Sequence, residues 1–176
     1  MKQFLLFSVL ILSSNISFGQ TKIEKLITGW PEEYKWKIIA NKLDTVIHLE
    51  FTEIVPDDES AAKWTILGYM GVSRNLIAPN LDKVIRVFTN AALKESAKAK
   101  VTVLERDDTT KNFWAIYKIE TPDYPNDPTP ESQLTYVIQG ETSLFQTFVA
   151  IKEASLSQEF VDKWTNILKG SKLKFE

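Results

Sequence analysis

YKWKIIANKLDTVIHLEFTEI, residues 34–54, alternates twice around a short polar break. In an extended chain Tyr34, Trp36, Ile38 and Ala40 fall on one side, and Lys35, Lys37 and Asn41 on the other. After NKLD (41–44) the run from Thr45 to Ile54 alternates again. Ile47, Leu49 and Phe51 share one face, and His48, Glu50 and Thr52 share the other. Two period-two runs around an Asn/Asp break predict an antiparallel hairpin with one wet face, turning at NKLD.

Outward from this hairpin, Trp64, Ile66, Gly68, Met70 and Val72 again share a face, which predicts a third strand over Lys63 to Arg74. The period then changes. Leu81, Val84, Ile85, Phe88 and Ala92 recur at helical spacing, Pro79 suits a first helical turn, and Asn80 or Ala78 suits the cap. A helix from about Pro79 to Lys98 follows. KVTVLER (100–106), DDTTKN (107–112) and FWAIYKIE (113–120) read as strand, turn and strand. Phe113 and Trp114 are neighbours there and must face opposite sides. Leu134 to Gln139 and Ser143 to Ile151 flank a Gly-Glu break as another hairpin. Phe160, Val161, Trp164, Ile167 and Leu168 form the apolar stripe of a closing helix. Ser155 with Gln158 fits its capping box, and Gly170 its stop.

TPDYPNDPTPES (121–132) holds four prolines. It reads as a stiff loop within one domain, because the two strands and one helix that follow are too little to bury a core of their own. The expectation is an α+β domain over residues 20–176: an antiparallel sheet of about six to seven strands with two main helices packed on it.

Residues 1–20, MKQFLLFSVLILSSNISFGQ, have the layout of a secretory signal peptide. Lys2 supplies the positive start, Phe4 to Leu12 the apolar run, and Ser17 and Gly19 the small residues before a cut at Gln20. That apolar run is well short of the roughly 20 residues that span a bilayer. A signal peptide over 1–19, a periplasmic or secreted location and no membrane insertion after its removal are therefore expected. The chain has no cysteine, so neither a lipid-modified cysteine nor a disulfide is available and stability must come from packing. At this size a domain buries about 70% of its unfolded surface, which suffices.

Composition also excludes chemistry. The net charge is −2, with both signs interspersed. There is no basic face for phosphate backbones and no polybasic stripe for anionic lipid. One histidine and no cysteine cannot build a histidine-rich zinc centre. His48, placed mid-strand beside Glu50 on the solvent face, has no G-x-S-x-G partner for a hydrolase triad. No phosphate-cradling glycine loop is present. Gly68 and Gly71 lie in a strand pattern, where they predict a bulge or a close backbone approach.

VPDDESAAKW (55–64) gathers Asp57, Asp58 and Glu59. Calcium would need six to eight oxygen ligands, and the Asp-x-Asp-x-Asp-Gly spacing is missing. The stretch reads as a corner, with a short helical turn capped through Ala61 and Ala62. Trp36, Trp64, Phe113, Trp114, Phe145 and Trp164 fall mainly at core positions. No catalytic, cofactor-binding or metal-binding residue stands out.

The order of elements resembles the PsbP-like fold group, including the periplasmic DcrB-like proteins. The segments carrying the resemblance are EFTEIVPDDESAAKWTILGYM (50–70), VTVLERDDTTKNFWAIYKI (101–119), QLTYVIQGETSLFQTFVAIK (133–152) and EFVDKWTNILKGSKL (159–173). Residues 50–64 also resemble an E-F-x-x-x-P-x-x-E-S-x-x-x-W run of small bacterial secreted proteins, with four residues instead of three between Phe51 and Pro56. The resemblance implies an antiparallel sheet flanked by helices and a role in binding or supporting other proteins, with no catalytic residues to carry over. Three functions are thus carried forward. The first is an exported non-enzymatic domain that binds a protein or small ligand. The second is a hydrolase dependent on carboxylates or on a divalent metal such as calcium or magnesium, and the third is an immunity or inhibitor protein.

Overall fold

A computed structural model describes residues 23–176 other than 46, 47 and 126. The expected signal peptide and the strand position of Ile47 lie outside the described residues. The elements run β1 (Glu24–Ile27), a 3-10 turn (Glu32–Tyr34), β2 (Trp36–Asp44), β3 (Leu49–Pro56), β4 (Ile66–Ser73), α1 (Leu81–Glu95), β5 (Lys100–Asp107), β6 (Trp114–Thr121), β7 (Glu131–Gln139), β8 (Leu144–Ile151), α2 (Gln158–Lys169) and β9 (Lys172–Phe175). The fold is α+β. Seven antiparallel strands form one sheet in the order β2-β3-β4-β8-β7-β6-β5, and β1 pairs with β9 in a second, two-stranded sheet.

The large sheet consists of two meanders, β2-β3-β4 and β5-β6-β7-β8. They are joined where β8 pairs with β4 from Ile66↔Ile151 to Ser73↔Leu144. The proline-rich stretch connects β6 to β7, which are neighbours in the sheet.

The helices pack on opposite faces. On the α2 face Trp164 is 0% exposed. Its ring lies 5.8 Å from Trp30, 5.9 Å from Tyr34, 6.4 Å from Trp36 and 6.0 Å from Phe160. Ile116, Leu134, Tyr136, Phe145, Val149 and Leu168 complete this core. On the α1 face Leu81 and Val84 pack against Phe113, Ala115, Tyr117 and Val137. Phe113 and Trp114 do point to opposite sides. α1 covers the β5-β6-β7 half of its face. On the other half Phe51, Tyr69 and Phe148 stack across three strands, with centroids 5.6 and 4.5 Å apart.

Local chemistry sets the ends of the helices. The Asn80 side chain accepts the Lys83 N–H at 2.9 Å and starts α1. The helix ends at Glu95 rather than Lys98, because Ser96 turns extended and its hydroxyl accepts the Lys98 N–H. The cap of α2 is Ser157, which accepts the Phe160 N–H, and not Ser155. Burial decides between the two serines. With Ser157 as cap, Leu156 and Val161 occupy the staple positions on either side of it, and both are buried in the α2 core.

The first hairpin differs from expectation in two ways. NKLD is not its turn: Asn41, Lys42, Leu43 and Asp44 pair with Thr52, Phe51, Glu50 and Leu49 inside the strands. The chain reverses later, where His48 adopts a left-handed conformation (φ 53°), one that histidine enters more readily than most residues. A bulge between Ile38 and Ala40 also breaks the alternation, since two steps on β2 match one step on β3, from Ile54 to Glu53. Ile38 therefore shares the α2 face, and Ala40 the α1 face. The other edge strand, β5, carries a bulge between Val103 and Glu105. Bulges on both edges, with Lys37, Lys42 and Lys100 beside them, discourage edge-to-edge pairing with another sheet.

Candidate functional site

The residues that drew attention in the sequence do not converge. Asp57 and Asp58 are exposed at the turn after β3, and the Asp57 carbonyl accepts Lys37 Nζ at 2.6 Å. Glu59 accepts the Thr65 N–H at 2.8 Å and the Thr65 hydroxyl. Ser60 and Lys63 exchange two backbone bonds of 3.0 Å, so the corner is a tight hairpin turn and not the helical turn expected through Ala61 and Ala62. Among the described residues no three histidine, aspartate or glutamate side chains gather as a metal ligand set. His48 lies in the β2-β3 turn and not mid-strand; its carbonyl accepts the Arg74 N–H at 2.9 Å. Trp64 precedes β4, with Lys152 Nζ 3.9 Å above its ring.

The expected close approaches at the β4 glycines are both present. A Cβ on Gly68 would come within 2.7 Å of the Trp30 ring, and one on Gly71 within 2.6 Å of Tyr69. Trp30 therefore packs directly against the β4 backbone. It anchors the chain that follows β1, and its indole N–H meets the Met70 sulfur at 3.2 Å.

β1 is fixed at its other end by a buried carboxylate. Glu24 is 2% exposed and accepts the N–H groups of Glu141 and Thr142 at 2.7 and 3.0 Å, and the Thr142 hydroxyl at 3.1 Å. It thereby caps the β7-β8 turn. Between these anchors β1 crosses over the sheet and leaves a cleft of about 450 Å³. Met70, Val72 and Phe145 give it an apolar floor, and Asn41, Thr52 and Thr147 add polar atoms.

Charge at the cleft is internally paired. Arg74 grips both Glu50 oxygens, at 3.0 and 2.9 Å, and donates to the Glu24 carbonyl at 2.6 Å. These bonds hold the Glu50 carboxyl below its ordinary range, against the opposing push of partial burial. Lys25, on the rim, pairs with Glu176 at 2.6 Å. The Thr147 hydroxyl donates to the Tyr69 carbonyl at 2.8 Å. The Asn41 amide and the Thr52 hydroxyl have no hydrogen-bond partner among the described residues. The arrangement provides apolar contact and neutral hydrogen bonding; the charged groups at its border are occupied with one another.

By alternation alone, Glu50 and Thr52 fall on the solvent face and Asn41 in the NKLD turn. The cleft arises because β1, held by its pairing with β9, roofs that face; the alternation of the earlier strands predicts neither element. The strict alternation of KLKF (172–175) was the available signal for β9. No protein-family model matches the chain, and no curated protein matches it.

Proposed function

We propose that this chain is an exported, non-enzymatic binding domain and that the cleft between β1 and the sheet is its ligand site. One observation carries the reading: a cleft of about 450 Å³ whose apolar floor of Met70, Val72 and Phe145 adjoins two neutral polar side chains, Asn41 and Thr52, that have no hydrogen-bond partner among the described residues. Ligand sites commonly have this volume and use a few polar groups to fix orientation. Export rests on the layout of residues 1–20. The resemblance to the PsbP-like group, whose members mostly bind or support other proteins, points the same way. No described helix is long and apolar enough to cross a membrane.

The test is a screen of small uncharged compounds against the ¹⁵N-labelled protein. Shifts centred on Asn41, Thr52 and Thr147 are expected, and they should vanish in a Met70→Trp variant that fills the floor. Hits that cluster elsewhere would remove the cleft as the site. For export, sequencing the N-terminus of protein expressed with its leader should give Gln20; intact chain in the inner membrane would refute that part.

A further inference from the structure

The roof of the cleft is a strand with one unused edge. Ile23 and Glu176 exchange both backbone bonds, Ile23 N–H to the Glu176 carbonyl at 2.8 Å and the reverse at 3.1 Å. In an antiparallel ladder such exchanging pairs recur every second residue. With the register Lys25↔Lys174 and Ile27↔Lys172, the backbone groups of Ile23, Lys25 and Ile27 point toward β9. Those of Glu24, Leu26 and Thr28 point away from it. Two contacts agree with this assignment: the Glu24 carbonyl accepts Arg74 Nη1, and the Thr28 carbonyl accepts the Trp30 N–H at 3.1 Å. Between them the Leu26 N–H and C=O have no partner among the described residues, and Lys25 to Thr28 all line the cleft.

We infer that the cleft is a strand-addition site, in which an extended peptide segment pairs with the free edge of β1 at Leu26. This rests on the cleft being the ligand site. Strand addition takes its affinity from main-chain hydrogen bonds and its selectivity from pockets for alternate side chains. β1 has four residues, which at about 3.3 Å each receive a segment of roughly three to five residues. Every second side chain of the segment faces Met70, Val72 and Phe145 and is apolar. It is uncharged, because Arg74 and Lys25 are already paired with Glu50 and Glu176 and an unpaired charge entering a part-buried cleft would lose hydration without compensation.

The probe is acetyl-Thr-Val-Thr-Val-Thr-amide, with two analogues: one N-methylated at both valines, the other at the central threonine. The readouts are the chemical shift of the Leu26 amide and its exchange with solvent. The parent peptide should shift the Leu26 amide and slow its exchange. Only one analogue, the one whose methyls point at β1, should bind more weakly, by about tenfold for lost backbone bonds. Two analogues that behave alike, or a Leu26 amide unmoved at millimolar peptide, would overturn strand addition. If small uncharged compounds still shift Asn41 and Thr52 in that case, the cleft stands as a ligand site and only the peptide inference fails. Silence to both probes removes both readings.

Discussion

The Glu24 carboxylate accepts the backbone N–H of Thr142 at 3.0 Å, joining positions 118 residues apart. This bond, with those to Glu141 N–H and the Thr142 hydroxyl, ties the first strand to the turn between the two most central hairpin strands. Gly140 makes room for it, since a Cβ there would land on the carboxylate. Glu24→Ala should cost about 3 kcal/mol, because it leaves buried N–H groups without an acceptor. Glu24→Gln keeps one acceptor oxygen and should fall between Ala and wild type. Urea unfolding measures all three, and Gly140→Ala should resemble Glu24→Ala. A Glu24→Ala protein as stable as wild type would show that the latch contributes nothing.

Trp164 anchors α2 in a cage of four aromatic rings. Trp164→Ala should cost about 3–5 kcal/mol. Trp164→Phe should cost distinctly less, since the indole N–H it removes is buried without a partner. Asp58→Ala, at an exposed turn, should stay within about 0.5 kcal/mol of wild type. Calcium that raises the melting temperature of wild type, but not of Asp58→Ala, would make the acidic corner a metal site.

Cutting the chain within residues 121–132 should leave the two fragments associated or both unfolded. β7 and β8 lie between β6 and β4, so residues 133–176 alone would expose both edges of their hairpin and leave Trp164 without the rings of Trp30, Tyr34 and Trp36. A separate melting transition for that fragment would contradict this.

Acid should weaken the Arg74–Glu50 bridge in a defined direction. The folded-state value of Glu50 lies below its ordinary 4.5. Its contribution is therefore complete above 4.5 and lost as pH falls through the lower, folded value. The gap in urea midpoint between wild type and Glu50→Gln should be constant near neutrality and close below pH 4.5. A gap that persists at lower pH would mean that charge pairing is not its source.

Alkali should act through the phenols. Burial, with the nearby Glu53 charge, pushes Tyr69 up to about 12, and burial alone pushes Tyr136 up to about 12; burial also raises Tyr117, against the opposing pull of Thr135 and Gln146. Groups raised in the folded state favour folding fully below their ordinary 10.0, and this advantage is lost as pH climbs through the folded values. Phenolate absorbance should show these three tyrosines still protonated at pH 10 in the folded protein. They should titrate normally in urea.

The amino-acid sequence alone determined the α+β class, the antiparallel strands and both helices. Period two and period three-to-four are local properties, carried by runs such as residues 114–121 and by the stripe from Phe160 to Leu168. The closing helix, its stop at Gly170 and the opposite facing of Phe113 and Trp114 were legible for that reason. What local periodicity does not contain is the count of residues between paired strands. The bulge at Ile38/Ala40 and the turn at His48 depend on how β2 registers against β3. The choice of Ser157 over Ser155 depends on where Leu156 and Val161 are buried. The cleft depends on contacts still farther apart: Lys25 with Glu176, 151 residues away, and Glu24 with the β7-β8 turn. Asn41, Glu50 and Thr52 look like ordinary solvent-facing or turn residues until β1 is laid across them. Their side chains were readable in the sequence, but only the packing of β1 and β9 made them the walls of a site.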